Sequence, residues 1–115
     1  MAISEAFSGS ATISTTETSL VTNTSGPDAE TTDGVFQVFV DFANLAAGDS
    51  FRLRYYEKAR SGDAQRLIEE WIFDGAQSKP LHVSPSFIFL HGWDVTLIKL
   101  GGTDRTITWS IRKVA

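Results

Sequence analysis

Over most of its length the chain alternates apolar and polar side chains with a period of two, the pattern of strands that bury one face. In residues 35–42, Phe36, Val38, Val40 and Phe42 share a face, with Gln37 and Asp41 on the other beside Val35 and Phe39. Residues 51–55 set Phe51, Leu53 and Tyr55 inward and Arg52 and Arg54 outward. Residues 93–97 and 106–111 alternate in the same way, burying Trp93, Val95, Leu97 and Ile107, Trp109, Ile111. Residues 65–73 place Leu67, Trp71 and Phe73 against Arg66, Ile68, Glu70 and Ile72, and a short strand falls near residues 87–90. Good helix formers make residues 63–71 the single helical alternative, set against hairpin turns on both sides. Glycines 34, 48, 62, 75, 92, 101 and 102 punctuate the series at hairpin spacing.

Residues 1–33 read differently, as an extended arm. Residues 1–32 hold fourteen Ser and Thr, with Ile3, Phe7, Ile13, Leu20 and Val21 as the sizeable apolar side chains. Two β-like stretches, 11–15 and 18–22, precede a dense turn signal at 23–28. With two strands in the arm and six beyond Gly34, about eight short strands predict an all-β fold. The expectation is a two-sheet antiparallel sandwich over residues 34–115, jelly-roll-like, with the arm adding strands to its own sheet or to a neighbouring subunit. Apolar Ile3 and Phe7 in a polar leader are natural anchors for an arm docked on a partner.

Composition narrows the function classes. No apolar run approaches the roughly 18 residues of a spanning helix, and the first twenty residues lack the basic start and apolar block of a secretory signal, so synthesis and use without export are expected. The absence of cysteine excludes a disulfide framework, thiolate-bound zinc and a cysteine nucleophile. The net charge is −4, but residues 1–50 contain seven acids and no Lys or Arg, while residues 51–115 hold seven acids and all ten basic residues. That polarity suits an acidic arm facing a basic surface, and the lack of a Lys/Arg stripe speaks against nucleic acid.

Catalytic constellations are missing from the sequence. His82 and His91 have no metal-ligand spacing. Adjacent Glu69 and Glu70 point to opposite faces of a strand and suit cross-strand pairing with Arg52, Arg54 or Arg66. No nucleophile elbow or phosphate loop is present. The expectation is a protein that is not an enzyme and uses no cofactor, metal or membrane. Tyr55, Tyr56, Trp71, Trp93 and Trp109 would make a sugar-stacking platform if exposed together, but parity buries most of them. Tyr56, on the face of Arg52 and Arg54, reads as an exposed subunit contact, and these three residues are the candidate partner-binding set of that face.

Three stretches, the LAAGD loop at 45–49, LHGWDVTL at 90–97 and TITWSIRK at 106–113, carry a resemblance that extends over the whole chain, least securely over the arm. The chain resembles a family of small virion proteins of tailed bacteriophages, similar to capsid decoration or cement proteins that bind the outer face of an assembled head. The resemblance implies a jelly-roll or β-tulip-like homodimer or homotrimer, the major capsid protein as partner, and a virion location after synthesis in the host cytoplasm. It implies no catalytic residue. An arm of that kind would add a strand to a capsid loop, with Ile3, Phe7 and Ile13 in pockets. A tail or baseplate component and a carbohydrate-binding adhesin-like module are the alternatives.

Overall fold

A computed structural model describes residues 2–114, which form nine strands and no helix. These are β1 (Ile3–Ile13), β2 (Thr18–Ser19), β3 (Gly34–Asp41), β4 (Ser50–Glu57), β5 (Arg66–Asp74), β6 (Leu81–Val83), β7 (Phe87–Phe89), β8 (Asp94–Gly101) and β9 (Arg105–Val114). A five-stranded sheet runs β1-β9-β3-β6, with β7 also on β3, and a four-stranded sheet runs β2-β8-β4-β5. All pairings are antiparallel. The two sheets pack as a sandwich around Phe36, Val38, Val40, Phe51, Leu53, Tyr55, Trp93, Val95, Leu97, Ile107, Trp109 and Ile111, the inward sets of the alternating strands.

The strand absent from the expected eight is β6. Its three residues Leu81-His-Val83 lie between Pro80 and Pro85 and are too few to show a period; β3 recruits them by pairing Phe39 with Val83 and Asp41 with Leu81. Residues 63–71 hold no helix, because β4 supplies a partner for β5 along its length.

The Ser/Thr-rich segment contributes a strand to each sheet. β1 is eleven residues long, starting well before residue 11, and pairs with β9 of the same chain from Ile3↔Val114 to Ile13↔Arg105. Ser, Ala and Gly have little strand preference of their own, so the extension is imposed by the ladder that β9 offers. Beyond it the chain crosses to the other sheet: Leu20 N–H donates to Val95 O at 2.8 Å, and the Trp109 indole N–H donates to Leu20 O at 2.7 Å. Glu30 and Trp93 exchange backbone bonds of 2.8 and 3.0 Å. The accessible surface of 5895 Å² is close to the roughly 6,200 Å² that a compact chain of this mass has, as expected when no arm stands off the body.

Candidate functional site

The arm anchors separate once the pairing is known. On β1 the inward positions are Phe7, Gly9, Ala11 and Ile13, whose partners on β9 include Ile111, Trp109 and Ile107. Ile13 is fully enclosed in the core, and Phe7 meets Trp93 edge-on with ring centroids 5.9 Å apart. Both therefore correct the expected partner contacts, because they pack inside their own sandwich. Ile3 remains outward and 69% exposed.

The expectation for Tyr56 is corrected too. Its parity is outward, yet it is only 8% exposed, because Glu17 lies over it: Tyr56 O–H donates to Glu17 Oε2 at 2.6 Å, and the Thr96 hydroxyl donates to the same oxygen. Burial, followed by the carboxylate bond, raises the Tyr56 pKa. Arg52 and Arg54 do stand on the outer face of the four-stranded sheet. Arg54 Nε donates to Glu70 Oε1 at 2.6 Å, and Arg52 Nε lies 3.4 Å from that oxygen without hydrogen-bond geometry. The cross-strand pairing expected of Glu70 is thus present. On β5 a bulge between Leu67 and Glu69 turns Leu67 to the outer face opposite Tyr56, against its expected inward position.

Several acids of the first fifty residues are engaged by hydrogen bonds within the chain. Asp49 closes the β3–β4 loop and ties it to the β8–β9 loop, accepting from Ala46 N at 2.8 Å, Thr103 N at 3.0 Å and Arg105 Nε at 2.7 Å. Those backbone donors, then Arg105, hold its pKa at about 2. Gly102 is obligatory beside it: its φ is +86°, and a Cβ would collide with the Asp49 carboxylate. Glu17 covers Tyr56, and Glu30 accepts from the Thr32 hydroxyl at 2.6 Å.

Two further carboxylates, unmarked by any motif logic, are built into the same scheme. Asp94 is wholly buried with no cation paired to it; it accepts from the Ser19 hydroxyl at 2.8 Å, Val95 N at 2.9 Å and Asp28 N at 2.7 Å. Burial outweighs these bonds and pushes its pKa up to about 6. Glu57 accepts from Leu90 N at 2.7 Å and Gly92 N at 3.0 Å, filling a concavity of backbone donors. Burial acts to raise it, and its backbone bonds overcome that to lower it. His82 is wedged against Trp71 and Phe73, where burial lowers its pKa, and His91 sits in the turn after β7. Among the described residues, no group of three potential ligands is placed to hold a metal ion.

Among the described residues the exposed aliphatic side chains divide between the outer faces of the two sheets. Ten large aliphatic side chains are exposed, and seven of them, Leu67, Ile68, Ile72, Leu81, Val83, Ile88 and Leu90, belong to residues 67–90. β5 is the edge of its sheet, and β6 and β7 occupy the facing edge of the other, as the Trp71–His82 and Tyr55–Phe87 contacts of 5.5 and 4.7 Å record. Ile88 is 81% exposed and lies opposite Val35 on the outer face, in one row with Val114 and Ile3. Along that face a shallow depression of about 200 Å³ opens between Phe39, Leu81 and Arg112. The aromatic platform is absent as a surface: Trp93, Trp109 and Tyr55 are enclosed, and Trp71 is half-buried.

No family model, curated protein or solved structure matches this chain. The stretches that carry the resemblance to virion proteins have structural work here. Asp49 of the first holds two loops, Gly92, Trp93 and Asp94 of the second form the Glu57 turn, the core and the buried carboxylate, and Trp109 of the third fills the centre.

Proposed function

We propose that this chain is a structural virion protein of a tailed bacteriophage, a jelly-roll-like decoration or cement protein that self-associates and binds the major capsid protein on an assembled head. The observation that carries this reading is the apolar flank on the outer face of the five-stranded sheet, where Leu81 and Val83 of β6 and Ile88 of β7 stand exposed along the same edge of β3, with Val35 opposite Ile88. Apolar groups gathered on one flank suit contact with another protein. The sequence resemblance supplies the kind of partner. The contact moves from the arm, whose Phe7 and Ile13 are engaged within the fold, to this flank and Ile3. Such a protein stabilises a shell by mass action, binding the assembled lattice better than its loose subunits, and many weak contacts hold through multivalency.

The test is to mix the purified chain with intact virions and with undecorated heads, sediment both, and count bound copies. Saturation at a fixed number per capsid site supports the reading. Retention by tails, with heads leaving the protein in the supernatant, transfers it to the tail or baseplate alternative.

A further inference from the structure

The outer face of the four-stranded sheet differs from the apolar flank in one respect: its centre is charged and incompletely paired. Arg52 lies directly between Ile72 on β5 and Ile98 on β8, and Arg54 between Glu70 and Thr96. The two guanidinium groups share the single Glu70 carboxylate, and Arg54 holds it at 2.6 Å. Arg52 Nε is buried and has no hydrogen-bond partner. The other carboxylates on this face do not complete it: Glu17 is taken by Tyr56 and Thr96, Asp94 by Ser19 and two backbone N–H groups, and Asp74 makes no ion pair among the described residues. Ile72, 54% exposed, and half-buried Ile98 flank Arg52 from the two neighbouring strands.

The Arg52 side chain as a whole keeps 21% exposure, so a carboxylate from outside can reach the rest of its guanidinium group, and a charge-assisted bond is the strong way to pair it. An arginine held by neighbouring strands and flanked by aliphatic side chains is also the composition of an interface hot spot. We propose that this face binds an extended segment of another protein that places one Asp or Glu carboxylate on Arg52 between apolar side chains two residues to either side. The spacing follows from the strand period, which puts residues i−2, i and i+2 of an extended segment on one face. This inference concerns a different surface from the flank and does not depend on the virion reading.

The probe is an acetylated, amidated pentapeptide, Val-Thr-Glu-Thr-Val, titrated into the nitrogen-15-labelled full chain while the arginine Nε–H resonances are followed. Its counterpart with Gln in place of Glu is the control. The expected result is a shift of the Arg52 resonance with the Glu peptide and affinity lower by about tenfold or more with the Gln peptide. Arg52→Gln abolishes the difference between the peptides. Ile72→Glu, which supplies a carboxylate beside Arg52 within the chain, abolishes Glu-peptide binding without removing the arginine. Equal response to both peptides, or none to either, overturns the proposal. A shift of the Arg52 resonance with protein concentration alone also overturns it, naming a second copy as the occupant.

Discussion

Along the side of the sandwich formed by β1 and β2, polar and apolar groups alike find partners inside the chain: Phe7 on Trp93, Leu20 O on the Trp109 indole, Ser19 and Asp28 on Asp94, Tyr56 and Thr96 on Glu17. Along the opposite side, aliphatic side chains of β6 and β7 face outward, and the buried polar atoms without a partner among the described residues, Arg52 Nε, Tyr55 Oη and His82 Nε2, all belong to β4 and β6. The first side is finished by the chain itself and the second is left incomplete. The difference reverses the roles suggested by reading the N-terminal segment as an arm docked on a neighbour.

The largest expected effect lies on the finished side. Trp109→Ala removes a buried indole and the hydrogen bond to Leu20 O that holds the segment after β1, and should cost about 3–5 kcal/mol, read from the urea midpoint of the full chain. A neutral result would mean that the closed side does not depend on this contact, and the contrast between the sides would lose its basis.

Next in size is a pH effect that also belongs to the closed side. The Asp94 pKa in the folded chain, about 6, lies above the ordinary 3.8. Between these values the folded state binds more protons than the unfolded one, so stability falls as pH rises through that window, by up to about 3 kcal/mol. Asp49 has the opposite sign. Its folded pKa near 2 lies below the ordinary 3.8, so its contribution is complete above 3.8 and disappears as pH falls through 2. Urea midpoints measured from pH 4 to 8 should decline with rising pH, and Asp94→Asn should flatten that slope. The variant will also lower the absolute midpoint, since an amide nitrogen in place of Oδ2 would meet the Asp28 N–H donor to donor. A slope unchanged by the substitution would assign the titration to another group.

Gly9→Ala tests the closed side at a single contact. A Cβ at Gly9 would lie 2.8 Å from Trp109 Cζ2, at the position where β1 crosses the indole. The indole is fixed by its bond to Leu20 O, so it cannot withdraw freely, and overpacking should cost about 1–3 kcal/mol. Calorimetry showing no loss would indicate that β1 stands further from the core than the register implies.

These contacts mark how far the sequence could be read. Period two identified β3, β4, β8 and β9 and their inward residues, because both faces of those strands differ sharply in polarity. β1 was legible only at its end, since Phe7, Gly9, Ala11 and Ile13 vary too much in size to show a face until β9 is set beside them. Tyr56 had the right parity and the wrong exposure: its cover, Glu17, is 39 residues away, and no local pattern records such a contact. The same holds for the charge asymmetry. Summed charge does not reveal which carboxylates cap loops internally, and Asp49, Asp94 and Glu57 are distinguished by the backbone donors around them. The outer-face Arg52 and Arg54 were legible, because strand alternation fixes their direction and Glu70 stands opposite on β5.

The smallest effect on stability should accompany a change on the open side. Ile88→Asp combined with Leu81→Ser removes two aliphatic side chains that are 81% and 53% exposed, on strands that pair with the same edge of β3. Neither side chain has a core to vacate, so the urea midpoint should change by no more than about 0.5 kcal/mol for each. Sedimentation with undecorated heads should nevertheless lose bound copies, because the substitutions place a charge and a hydroxyl where the proposed contact requires apolar surface. The two readings work only together. Lost stability would show that these side chains help close the sandwich after all, making the open side a continuation of the core. Unchanged stability with unchanged binding would leave Ile88 and Leu81 solvent-facing on the particle and overturn this flank as the contact.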